Sequence, residues 1–80
     1  MKLISLIKPF KVNYFGIELL IPHWAKFIVA ESNGIVFAWN KKPSQTNNGS
    51  WFSESLQSQY EIVAIVDLED IDWKETLVEI

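Results

Sequence analysis

Apolar residues recur at a period of two along most of this chain. Phe10, Val12 and Tyr14 alternate with Lys11 and Asn13, and Ile17, Leu19 and Ile21 follow Gly16 at the same spacing around Glu18. A strand sends successive side chains to opposite faces, so both stretches are predicted strands with one face buried. Residues 3–7 form a shorter candidate strand. Pro9, which has no N–H to give to a ladder, places that strand at an edge or breaks it.

The clearest local signal is an apolar run at 26–31, the polar Ser32-Asn33-Gly34, and a second apolar run at 35–40. This is a predicted hairpin in which Asn33 ends a type I turn and Gly34 supplies the positive φ of a bulge. In that register Glu31 faces Ile35, Val29 faces Phe37 and Phe27 faces Trp39. One face is then strongly aromatic, while Ile28, Ala30, Val36 and Ala38 occupy the other. A tighter two-residue Asn-Gly turn shifts the pairing by one and mixes the two sets. In both registers both faces are apolar, so the hairpin is expected to be central or covered.

Residues 41–50 are the most polar stretch, a loop or a looser hairpin end containing Pro43 and Asn47-Asn48-Gly49. Trp51-Phe52 is expected to open a further strand, residues 53–59 a turn, and the bulky, β-branched residues 60–66 another strand. The period then changes. Asp72 with Glu75 three residues on has the form of a capping box, and Trp73, Leu77 and Ile80 stack on one face of a short helix. The predicted fold is a single domain spanning residues 1–80, mainly β (α+β). It is a curled antiparallel meander of about five or six strands with one short C-terminal helix docked on it.

Composition narrows the function. Eighty residues make one domain, and with nearly half of them apolar the chain can offset its ordering entropy. The absence of cysteine excludes a disulfide framework, a thiolate nucleophile and a cysteine zinc site, and fits a reducing compartment. The apolar start ends at Lys8-Pro9, too early for a secretory segment, and no run reaches the ~18–20 apolar residues of a membrane span. A cytoplasmic protein without membrane contact is expected. The net charge of −3 hides an asymmetry: residues 1–42 carry six lysines against Glu18 and Glu31, whereas residues 60–80 carry seven acids against Lys74. Ends of opposite sign can pair within the fold, between copies, or not at all.

Chemistry is sparse. His23 is the lone histidine, and Ser5, Ser32 and Ser50 sit in no nucleophile-elbow motif. Asp67, Glu69, Asp70 and Asp72 lack the glycine and terminal glutamate of an EF-hand loop, and acids near a helix start have an electrostatic reason to be there. No phosphate-cradling glycine loop occurs, and no metal or other cofactor is expected. Trp24, Phe37, Trp39, Trp51, Phe52 and Tyr60 suit a base-stacking platform, but the negative charge and the absence of arginine argue against nucleic acid. Four tryptophans and five phenylalanines nevertheless exceed what so small a core takes up easily, since each aromatic buries about 150–250 Å². Trp39, Trp51 and Phe52, beside the polar loop, are the candidate protein-binding residues.

Gly16-Ile17-Glu18-Leu19, Pro22-His23-Trp24-Ala25-Lys26-Phe27-Ile28 and the Asn33-Gly34 turn into Val36-Phe37-Ala38-Trp39 follow one another in an order that resembles small uncharacterised proteins of tailed bacteriophages and prophages. Lys42-Pro43, Trp51, Tyr60, Val66-Asp67-Leu68 and Asp72-Trp73-Lys74-Glu75-Thr76-Leu77 extend the likeness over about residues 14–78. It implies a setting, the cytoplasm of a bacterial host, and no activity. The expectation is a non-enzymatic accessory protein that binds a host or phage protein through exposed aromatics and modulates a host process. A self-associating structural protein, forming a homodimer or larger assembly, is one alternative; an acidic mimic of nucleic acid that inhibits its target is the other.

Overall fold

The computed structural model describes residues 1–4 and 7–80. Two strands, β1 (Phe10–Tyr14) and β2 (Ile17–Ile21), form a hairpin closed by Phe15-Gly16. Phe15 has φ 49° and Gly16 φ 82°, a two-residue turn in which the left-handed twist falls on a bulky side chain at its first position. The predicted strand at 3–7 is not seen at Leu3, Ile4 or Ile7, and Ser5 and Leu6 lie outside the described residues.

The centre of the fold is a four-stranded antiparallel sheet. Strands β3 (Phe27–Ala30) and β4 (Ile35–Trp39) pair with Phe27 opposite Trp39 and Val29 opposite Phe37, the register set by the three-residue turn. Gly34 takes φ 87°, and its N–H donates to the Glu31 carbonyl at 2.9 Å. After β4 the chain leaves the sheet for a small hairpin of β5 (Ser44–Gln45) and β6 (Trp51–Phe52), then returns as β7 (Tyr60–Ile65) along the other edge of β4. A bulge at Val63 lets two residues of β7 oppose one step of β4.

The C-terminal segment corrects the sequence reading. Where a helix was expected there is one 3₁₀ turn at Trp73–Glu75, followed by β8 (Val78–Glu79) on the free edge of β3. Asp72 does cap the turn, its Oδ1 accepting from the Lys74 N–H at 3.0 Å. The helix gives way because the edge of β3 is buried and its backbone groups need partners, which a short helix cannot supply. Strand β8 supplies them along Phe27 and Ile28, and the Ile80 N–H donates to the Lys26 carbonyl at 2.8 Å. Beyond β8 the buried Thr76 side chain continues the ladder: its Oγ1 accepts from the Ala30 N–H at 3.0 Å and lies 3.0 Å from the Ala30 carbonyl.

The sheet order is thus β7-β4-β3-β8, with the β1-β2 hairpin packed on one face and not joined to its ladder. The fold is mainly β and antiparallel, as predicted. Among the described residues eight strands replace the expected five or six, arranged in three sheets and not as one meander. The extra strands are two residues long and come from their partners' need for hydrogen bonds, not from a pattern of their own. The central hairpin is covered on both faces. Tyr14, Leu19 and Ile21 pack over Ile28, Ala30, Val36 and Ala38, while Val29, Trp39 and Trp51 form a second core with Phe27, Phe37, Trp73 and Leu77 around it. No helix among the described residues is long and apolar enough to cross a membrane.

Candidate aromatic groove

On the second face, the alternation of β4 sends Phe37 and Trp39 to the same side. The register with β7 sets Tyr60 directly across from Trp39. Their rings stack at 4.7 Å with 29° between planes, and Phe37 meets Tyr60 edge-on at 5.9 Å. The β5-β6 hairpin folds over this surface and adds Trp51 and Phe52. Between them runs a groove of about 500 Å³ whose aromatic lining is Phe37, Trp39, Trp51, Phe52 and Tyr60. Ser50, Ser53, Ser55 and Ser58 form much of its polar rim, with Glu31 at one side.

The loops that carry the rim are fixed by local hydrogen bonds. Thr46 Oγ1 bonds the carbonyl and hydroxyl of Ser50, closing the β5-β6 turn. Asn40 accepts from the Gln59 N–H at 2.7 Å and donates to the Gln57 carbonyl at 3.1 Å, which ties the 53–59 loop to the end of β4. Ser58 donates to Ser53 at 2.6 Å across that loop.

The three predicted binding residues come together in this groove, but they do not share the expected exposure. Phe52 stands out at 55% exposed. Trp39 and Trp51 are corrections: at 5% and 6% exposed they are core residues whose faces form the groove floor. Both rings pack into the second core with Val29 among Phe27, Phe37, Trp73 and Leu77, so burial wins over proximity to a polar loop.

The two buried indoles differ in one respect. Trp51 Nε1–H donates to the Ala30 carbonyl at 3.0 Å, inside the second core. Trp39 Nε1–H is buried and finds no acceptor among the described residues. A buried donor without a partner costs about 1–3 kcal/mol, and native structures contain few of them. That N–H lies out of solvent contact beneath the groove floor, so it is a cost the packing around Trp39 carries.

Phe37 and Tyr60, which the sequence reading grouped with these aromatics as a stacking platform but not as protein-binding candidates, join the groove, as does the serine rim that it did not single out. Tyr60 is 61% exposed and is the second accessible ring of the groove. The signal that finds it is the hairpin register, since any strand paired with β4 at Trp39 brings its opposing residue to the same face.

His23 lies exposed in the turn after β2, and among the described residues no three His, Asp or Glu side chains come within reach of one metal ion. Tyr14 has a displaced titration. Burial of its phenol under the sheet pushes its pKa up to about 12, and its hydroxyl donates to the Thr76 carbonyl at 2.7 Å. That bond is a structural latch between the β1-β2 hairpin and the C-terminal segment. The chain matches no family model, no curated protein and no solved structure.

Proposed function

We propose that this protein is a non-catalytic binding module whose groove takes a segment of another protein presenting one apolar or aromatic side chain beside a hydrogen-bond acceptor. The observation that carries the reading is the aromatic groove itself, in which the exposed Phe52 and Tyr60 stand over the buried faces of Trp39 and Trp51 inside a rim of serines. Rigid aromatics around a desolvated centre are the usual anchors of protein interfaces, and a rim of short hydroxyls gives hydrogen bonds at little entropic cost. The setting of a phage or prophage accessory protein acting on a host or phage protein comes from the sequence resemblance alone.

A peptide-display selection on the wild-type protein, counter-selected on Phe52→Ser, tests this. Retained peptides should share an aromatic or branched apolar residue and lose at least about tenfold in affinity on Phe52→Ser or Tyr60→Ser, the range of a lost interface anchor. Peptides that bind wild type and both variants equally, or a failure to retain any, contradict the reading.

A further inference from the structure

The other long edge of the molecule is also unfinished. Strand β7 has β4 on one side and no ladder partner on its other side among the described residues. Its outward apolar residues are uncovered: Ile62 is 57% and Ile65 78% exposed. Monomeric proteins blunt such edges with lysine, proline or a covering loop. Here the strand carries one charge, Glu61, and its bulge at Val63.

Charge is sorted along this edge. Just past its C-terminal end come Asp67, Glu69, Asp70 and Asp72, all exposed, beside an open depression lined by Ile65, Ile71 and Trp73. At its N-terminal end, Ile7, Lys8 and Pro9 lie in the same surface pocket as Glu61, and the segment before them exposes Lys2, Leu3 and Ile4. Among the described residues the ion pair formed is Lys11–Glu18, at 3.5 Å within the β1-β2 hairpin. The basic and acidic ends thus do not neutralise each other inside one copy.

We infer that the occupant of this edge is a second copy of the chain, with the two β7 strands side by side and antiparallel about a twofold axis. Antiparallel alignment is the arrangement that sets the basic end of each β7 beside the acidic end of its partner, twice over. It also covers Ile62 and Ile65 with their own counterparts, the isologous pairing that a twofold requires. A parallel arrangement sets acid against acid and is disfavoured by like-charge contact. Tyr60 belongs to both this strand and the groove wall, but the inference rests on the open edge, the exposed Ile62 and Ile65 and the sorted charges, not on what the groove binds.

Sedimentation velocity across a concentration series, at low salt and at about 1 M salt where screening acts within ~3 Å, is the test. The wild type should be dimeric at low salt and shift toward monomer as salt rises. The pair Glu69→Lys/Asp70→Lys should weaken the dimer at least about tenfold, Lys2→Glu/Lys8→Glu should do the same, and combining the four should restore it. Ile62→Lys should give a folded monomer, with circular dichroism confirming the fold, while Phe52→Ser should leave the dimer unchanged. A wild type that is monomeric throughout, or a dimer indifferent to charge reversal, overturns the inference. So does a dimer that Ile62→Lys leaves intact.

Discussion

The contrast between the two buried tryptophans makes a sharp prediction about stability. Replacing either one by phenylalanine removes a comparable amount of buried ring, a packing loss of roughly 1.5–2.5 kcal/mol at about 0.8 kcal/mol per methylene-sized group. The polar consequences have opposite signs. Trp51→Phe also removes the 3.0 Å bond to the Ala30 carbonyl, a further net loss of about 1 kcal/mol. The carbonyl itself keeps Thr76 Oγ1 within bonding distance, so it is not stranded, and the total is roughly 2.5–3.5 kcal/mol. Trp39→Phe instead deletes a donor that has no acceptor and recovers about 1–3 kcal/mol of desolvation, which offsets most of its packing loss. Urea unfolding of the two variants should therefore place Trp39→Phe within about 1 kcal/mol of wild type and Trp51→Phe at least about 2 kcal/mol below it, in a domain whose whole stability is roughly 4–12 kcal/mol. Equal losses would refute the reasoning, because they would mean that the Trp39 N–H is satisfied in solution or that the Trp51 bond carries no weight.

Other consequences follow from the same contacts. The raised pKa of Tyr14 means the fold holds the neutral phenol, so its contribution is complete below pH 10 and is lost as pH rises from 10 toward 12. Allowing for partial solvent screening, stability should fall by about 1–2 kcal/mol across that window, and Tyr14→Phe should flatten this part of the profile in pH-dependent urea melts. Gly34→Ala places a Cβ against the Val66 carbonyl at a φ of 87° and should cost about 2–4 kcal/mol by thermal or urea unfolding. Thr76→Val strands the Ala30 N–H at the edge of β3 and should cost about 1–3 kcal/mol, with Thr76→Ser recovering most of it.

The sequence was most legible where the local pattern and the tertiary environment agree. The central hairpin is the best instance: the turn chemistry of Asn33-Gly34 fixes the register, and the register fixes which residues form the aromatic face. The strand at Tyr60–Ile65 is equally plain from its β-branched content. The C-terminal segment fails for an instructive reason. Its helical spacing and capping signal are real, and Asp72 does cap a turn, but the hydrogen-bonding demand of the buried β3 edge outweighs a propensity worth only tenths of a kcal/mol per residue. Strands β5 and β8 are invisible for the same reason, since two residues have no period to read.

The site shows a similar division. Proximity to the polar 41–50 stretch correctly gathers Trp39, Trp51 and Phe52 into one place, yet it says nothing of depth, and only Phe52 is exposed. Depth depends on how the β5-β6 hairpin folds over β4, a long-range event with no local signature. The unpartnered indole is likewise a property of packing. Nothing about Trp39 in sequence distinguishes it from Trp51, whose N–H reaches the Ala30 carbonyl twenty-one positions away.

The central claim is that the groove between Phe52 and Tyr60 receives an apolar or aromatic side chain of a partner. The direct measurement is the ring resonances of Phe52 and Tyr60 in a ¹³C-labelled protein, assigned with Phe52→Ser and Tyr60→Ser and titrated with a peptide from the selection. The account predicts that both move as the peptide saturates, while the ring of Tyr14, in the core on the other face of the sheet, stays nearly fixed. A peptide that binds while both groove rings remain unchanged would contradict it.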